Sequence, residues 1–150
     1  KAYEDSVRIR NAAAPDMAGL QQPTLDGFTP DETAQNEITD CFRYGWTAKK
    51  TGDAITFLAE GSCIAVQYRK SVKLPAPVAL AVVDDDTEHA VRLDANFDET
   101  WGDKLELATL LEHGKEGRHI VTIRLAETHE DDAVPFYLVS VIATGRSGKD

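Results

Sequence analysis

From Cys41 onward apolar and polar residues alternate with period two, the mark of half-buried β-strands. Ile55 and Phe57 share one face of Ala54–Leu58, and Ile64, Val66 and Tyr68 oppose Cys63, Ala65 and Gln67. His89, Val91 and Leu93 oppose Ala90 and Arg92 in Glu88–Leu93, and Leu105, Leu107 and Leu111 share one side of the segment that follows. Val121, Ile123 and Leu125 alternate with Thr122 and Arg124 in His119–Leu125. Val78–Val83 and Phe136–Ala143 are apolar on both faces, which predicts strands covered on both sides. Turn chemistry separates these runs at Thr51-Gly52-Asp53, Glu60-Gly61-Ser62, Asp84-Asp85-Asp86, Glu112–Gly117 and Glu130-Asp131-Asp132. With Cys41–Thr47 as the first strand, the pattern gives about eight strands and no long helix. The expected fold class is all-β, a two-sheet antiparallel β-sandwich of jelly-roll type. No segment between strands is long and periodic enough for a crossover helix, which argues against an α/β fold.

Residues 1–40 read differently. Pro15, Pro23 and Pro30, with Gly19 and Gly27, punctuate a stretch of little periodicity. Thr29-Pro30-Asp31-Glu32 has the form of a capping box, with threonine at the N-cap, proline at the first helical position and glutamate at the third. It predicts a short helix over Pro30–Ile38. Lys1–Gln22 reads as a linker or an extended arm laid along the domain. The expected organisation is an arm with a short helix (1–40), a sandwich domain (41–145) and a tail (146–150).

The 150 residues match one ordinary domain with a buried core, and the chain is 42% hydrophobic and 28% charged, as in soluble globular proteins. The longest apolar run, Val78–Val83, is far too short for a membrane-spanning helix. The chain begins at Lys1 and reads as a piece of a longer protein. A net charge of −10, with 16 basic residues scattered among 26 acidic ones, argues against nucleic acid, an anionic membrane surface or a polyanionic substrate. A neutral ligand such as a carbohydrate is compatible with it. The two cysteines, Cys41 and Cys63, form no disulfide framework and fit no zinc motif. A bridge between them and a simply buried Cys63 both remain open.

Catalytic chemistry is hard to place. None of Ser6, Ser62, Ser71, Ser140 and Ser147 lies in Gly-x-Ser-x-Gly, and neither cysteine has a histidine close in sequence. His89, His113, His119 and His129 are not spaced as metal ligands, although His113 and His119 flank one turn. The acidic turns Asp84–Asp86 and Glu130–Asp132 are oxygen-rich enough to raise a structural calcium, but neither has the alternating spacing of a dedicated loop. They read as solvated turns, and no cofactor is expected. Aromatic residues offer more, because a sugar ring stacks on Trp or Tyr while neighbouring Asp, Asn or Arg bond its hydroxyls. Trp46 lies on a strand and reads as core. Trp101 sits in the loop Asn96–Asp103 with carboxylates on both sides, so Trp101, Asp98, Asp103 and Asn96 are the candidate ligand-binding residues. The competing reading makes Trp101 a plug at the end of the core.

Four segments carry a resemblance: Ala54-Ile55-Thr56-Phe57, Val78–Asp84, Gly117-Arg118-His119-Ile120-Val121-Thr122-Ile123, and Phe136-Tyr137-Leu138-Val139-Ser140-Val141. Over roughly Trp46–Thr144 the chain resembles the β-sandwich accessory domain found beside the catalytic domain of some SGNH (GDSL-type) hydrolases. The catalytic family's Gly-Asp-Ser block is missing: Gly52-Asp53 is followed by Ala54, and Gly102-Asp103 by Lys104. Asp86-Thr87-Glu88-His89 matches Asp-x-x-His but has no serine partner, and reads as a hairpin turn. The resemblance implies a non-catalytic accessory domain of a carbohydrate-active esterase, covalently linked to a catalytic domain and offering a glycan-binding surface. The alternative is a structural module for interdomain or dimer contacts, without a ligand. A stand-alone hydrolase would need a nucleophile–base pair, and the sequence names none.

Overall fold

The alternation is realised as two antiparallel sheets packed face to face. The computed structural model describes residues 4–32, 42–97 and 102–146. Among them are β1 (Glu4–Ile9), β2 (Thr24–Asp26), β3 (Thr29–Pro30), β4 (Trp46–Ala48), β5 (Ala54–Glu60), β6 (Cys63–Lys70), β7 (Val78–Val83), β8 (Val91–Asp94), β9 (Lys104–Leu111), β10 (Arg118–Glu127) and β11 (Phe136–Arg146). One sheet runs β3-β4-β11-β6-β9, with β1 also paired to β11, and the other runs β2-β5-β10-β7-β8. The two-sheet jelly-roll sandwich expected from the pattern is therefore the fold.

The inward positions of each strand meet between the sheets. Ile55 and Phe57 of β5 and Val121, Ile123 and Leu125 of β10 face Ile64, Val66 and Tyr68 of β6 and Phe136 and Leu138 of β11. Trp46 is buried, as its strand position implied, with its ring edge-on to Phe57 at 5.2 Å. Each such side chain removed from water contributes about 1.5–3 kcal/mol. Gly45, just before Trp46, is required by packing: a Cβ there would stand 2.1 Å from the Leu138 carbonyl oxygen.

Strand β11 explains why its sequence is apolar on both faces. Leu138 pairs with Tyr68 but Ser140 pairs with Gln67, so Val139 is an extra residue in the ladder. A one-residue bulge flips the facing of everything beyond it. Phe136 and Leu138 point into the core before the bulge, and Val141 and Ala143 after it.

Several expectations are corrected. Eleven strands stand where about eight were expected, because the first thirty residues supply three of them. Among the N-terminal residues, β1 zips along Val141–Arg146 of β11, and β2 lies beside β5. The capping-box reading fails at its first residues, since Thr29–Pro30 is strand paired with Thr47 and Trp46. The rest of that helix, from residue 33, lies outside the described residues. Of the described part of Cys41–Thr47, residues 42–47, only Trp46 and Thr47 belong to a strand. Glu88–Leu93 opens with a 3₁₀ turn at Thr87–His89 rather than with strand. Val78–Val83 is covered fully on its Ala79–Ala81 face, while on the other face Val78 is buried, Val82 half-buried and Leu80 exposed. Cys63 is a free thiol, and Cys41 lies outside the described residues.

Candidate functional site

The registers bring the loops of interest to one end of the sandwich. Strand β6 ends where β9 begins, at Lys70 opposite Lys104, and β8 ends where β7 begins, at Asp94 opposite Val78. Ala48 of β4 lies opposite Phe136 at the start of β11, and Glu127 near the end of β10 lies opposite Val78. The connections 49–53, 71–77 and 128–135, with residues 95–97 and 102–103, therefore share this end.

Two of the four residues singled out in the sequence meet there, in a structural capacity. The Asn96 amide nitrogen donates to the carbonyls of Ser71 at 3.0 Å and Lys73 at 2.9 Å, while its amide oxygen accepts from the Ala76 backbone N–H at 2.7 Å. A primary amide has two donor hydrogens, and both are used. One Asp103 carboxylate oxygen accepts from the Ser71 hydroxyl at 2.9 Å and the Val72 N–H at 3.3 Å. Together they pin the 71–77 loop to the end of the sandwich. Asp98 and Trp101 lie outside the described residues.

Beside this pinned loop run two grooves. One, of about 290 Å³, is lined by Lys49, Pro77, the turn His129–Glu130 and residues 132–135. The other, of about 360 Å³, is lined by Gly27, Thr29, Thr47–Lys50 and Asp53. Lys49 borders both. Their walls are tied together. The Thr51 and Thr128 hydroxyls are 2.8 Å apart, the Ala133 N–H donates to the Pro75 carbonyl at 2.8 Å, and Asp53 accepts from the Lys50 N–H at 3.0 Å.

In the acidic turns the carboxylates of Asp84, Asp86 and Asp132 are each engaged by a neighbouring histidine. Asp132 accepts from the His129 backbone N–H and contacts its Nδ1, both at 2.9 Å. Asp86 meets His89 Nδ1 at 2.7 Å, so the Asp-x-x-His match is a dyad closing an exposed 3₁₀ turn. At the far end Asp84 holds His119 Nδ1 at 2.6 Å and accepts from the Ile120 N–H at 2.9 Å, while His119 Nε2 lies 2.6 Å from the Lys115 carbonyl. Burial works against a charge on His119, yet these acceptors prevail and raise its pKa. The His119 hydrogen bond, with that from Ile120, lowers the pKa of Asp84. No cluster of three or more metal-ligating side chains occurs among the described residues. Two serine hydroxyls are likewise engaged: Ser140 donates to Gln67 at 2.8 Å, and Ser71 to Asp103.

Outside the grooves, Tyr137 on β11 is the most tightly held polar aromatic. Its hydroxyl donates to Asp31 at 2.5 Å and accepts from the Gly45 N–H, and the Arg69 guanidinium sits 5.3 Å over its ring. Burial, reinforced by Asp31, pushes the phenol pKa up. Sequence reasoning missed this contact, which spans 106 residues. It missed Lys49 as well, an exposed lysine on which no local pattern converges.

Fold and loop arrangement define the class: a jelly-roll β-sandwich domain with its open grooves gathered at one end. The particular kinship comes from a two-domain esterase active on acetylated mannans, crystallised with mannopentaose. This chain is similar to it at 59% identity over 97% of its length, with a TM-score of 0.87, and spans 38% of the esterase chain. That agrees with the resemblance read from the sequence: the chain is the counterpart of a β-sandwich accessory domain in a carbohydrate esterase. A family two carbohydrate esterase from Cellvibrio japonicus shares the fold at 17% identity and a TM-score of 0.59 over 95% of this chain and 34% of its own. So does a family 35 carbohydrate-binding module from Clostridium thermocellum, at 12% identity and a TM-score of 0.52 over 92% of this chain and 97% of its own. No family profile and no curated protein matches the chain.

Proposed function

We propose that this chain is the non-catalytic, glycan-binding accessory domain of a carbohydrate-active esterase of SGNH type, covalently joined to the catalytic domain. One observation carries the reading: 59% identity to 38% of a two-domain esterase whose substrate is acetylated mannan. The chemistry of the described residues supports it. Ser71 and Ser140 are bonded to Asp103 and Gln67, and three of the four histidines are committed to aspartates. Ester hydrolysis by a serine needs a hydroxyl held by a base, and the described residues offer a scaffold in its place. The proposed ligand class is a neutral or acetylated mannan-type glycan, with Trp101 proposed to stack on its rings and Asp98 to bond its hydroxyls.

The test has two arms on the isolated chain. Acetate release from acetylated mannan is expected to stay at the level of the blank, and tryptophan fluorescence is expected to change saturably with mannopentaose. Acetate release that scales with chain concentration overturns the non-catalytic reading. An unchanged emission with plain and acetylated manno-oligosaccharides alike removes the glycan.

A further inference from the structure

At the grooved end the polar side chains fall into two sets. Asn96, Asp103, Asp53 and Asp132 have their hydrogen-bonding groups turned inward on backbone and neighbours. They build walls. Lys49 and Glu130 are different: among the described residues neither the ammonium nor the carboxylate has a hydrogen-bond or ion-pair partner, and both are exposed. His129 keeps its Nε2 open because only Nδ1 is held by Asp132. Lys49 borders both grooves, so a ligand crossing it would span them in one trough.

The lining says what such a ligand is. Lys49 and Lys50 face Asp53, Glu130 and Asp132, so donors and acceptors are interspersed and neither sign dominates. A phosphate or sulfate would be disfavoured by Glu130 and Asp132 in the first groove, and a cation by Lys49 and Lys50 in the second. Thr29 and Thr47 add hydroxyls that both donate and accept, while Pro77, Val134 and Pro135 give an apolar strip. Interspersed donors and acceptors beside an apolar strip match a chain of sugar rings, with hydroxyls along its edges and C–H faces between them. The cross-ties Thr51–Thr128 and Ala133–Pro75 fix the walls before any ligand arrives. Preorganisation of that kind lowers the entropic cost of binding.

We propose that the trough over Lys49, between the 49–53 and 128–135 loops, is a binding site for a neutral oligosaccharide, with Lys49, His129 and Glu130 bonding its hydroxyls. The proposal rests on the glycan-binding reading and adds a site distinct from the Trp101 loop. It is tested by calorimetric titration of mannopentaose into the whole chain and into Lys49→Ala/Glu130→Ala, with amide chemical shifts followed in parallel. Both side chains are exposed and hold no other residue, so the double variant is expected to melt with the parent. Its affinity is expected to fall at least about tenfold, a factor that corresponds to about 1.4 kcal/mol. Shifts in the parent are expected at 47–53 and 128–135. Undiminished affinity in the double variant, with shifts confined to residues 95–104, overturns the trough and leaves the glycan reading intact. If the parent binds no mannopentaose, both readings fall together.

Discussion

The imidazole of His119 is placed between two acceptors, Asp84 at Nδ1 and the Lys115 carbonyl at Nε2. Only the doubly protonated ring donates to both. Its pKa is raised above 6.5, so its contribution to stability is fully present below about pH 6.5 and is lost as pH rises through the folded value. That of Asp84 is lowered below 3.8, so its contribution is present above about pH 4 and is lost as pH falls through the folded value. The melting temperature is therefore expected to be highest between about pH 4 and 6.5 and to decline toward alkaline pH. Asp84→Asn is expected to flatten the alkaline decline, and a pH series of thermal melts on both proteins checks it. Asn96 offers a second residue-scale test. Asn96→Ala strips three hydrogen bonds from the 71–77 loop and is expected to cost about 1–3 kcal/mol, read by urea denaturation. A residue waiting for a ligand would show no such loss.

Among the elements, β11 is the spine of its sheet, paired with β6 on one side and with β4 and β1 in turn on the other. Its bulge at Val139 keeps Phe136 and Leu138 in phase with Val141 and Ala143. Deleting Val139 removes the bulge, leaves Leu138 opposite Tyr68 and Ser140 opposite Gln67, and keeps Phe136, Leu138, Val141 and Ala143 on the core face in simple alternation, so the deletion variant is expected to keep a cooperative melt at a temperature lowered by the loss of the buried Val139 side chain. Thermal melts followed by circular dichroism check it, and loss of the cooperative transition would contradict the assignment of Val139 as the extra residue. Strands with sustained alternation, such as His119–Leu125 inside β10, were legible in the sequence because each presents three apolar residues to one face. The N-terminal strands were not. Among the described side chains of β1, residues 6–9, only Ile9 reaches the core while Val7 is exposed, and β2 and β3 are three and two residues long with every residue exposed. Such strands exist through pairing with long neighbours, which no local pattern encodes. The capping box at Thr29 lost to the same kind of tertiary term: pairing with β4, and Asp31 receiving the Tyr137 hydroxyl.

For the whole molecule, the sandwich gathers at one end what the sequence scatters over more than a hundred residues. Asn96 and Asp103 were recognisable as members of a polar loop beside a tryptophan, but their bonding to the distant 71–77 backbone required the fold. Lys49 and Glu130 became visible only once two grooves shared a wall. Although the chain's net charge is −10, the groove linings set Lys49 and Lys50 beside Asp53, Glu130 and Asp132, a mixture that suits the uncharged polymer proposed above. The most direct measurement is equilibrium binding of mannopentaose to the isolated chain by calorimetry. The account predicts saturable binding with enthalpy released and without hydrolysis of acetylated mannan. A flat titration against mannopentaose and acetylated manno-oligosaccharides at millimolar concentration would contradict it.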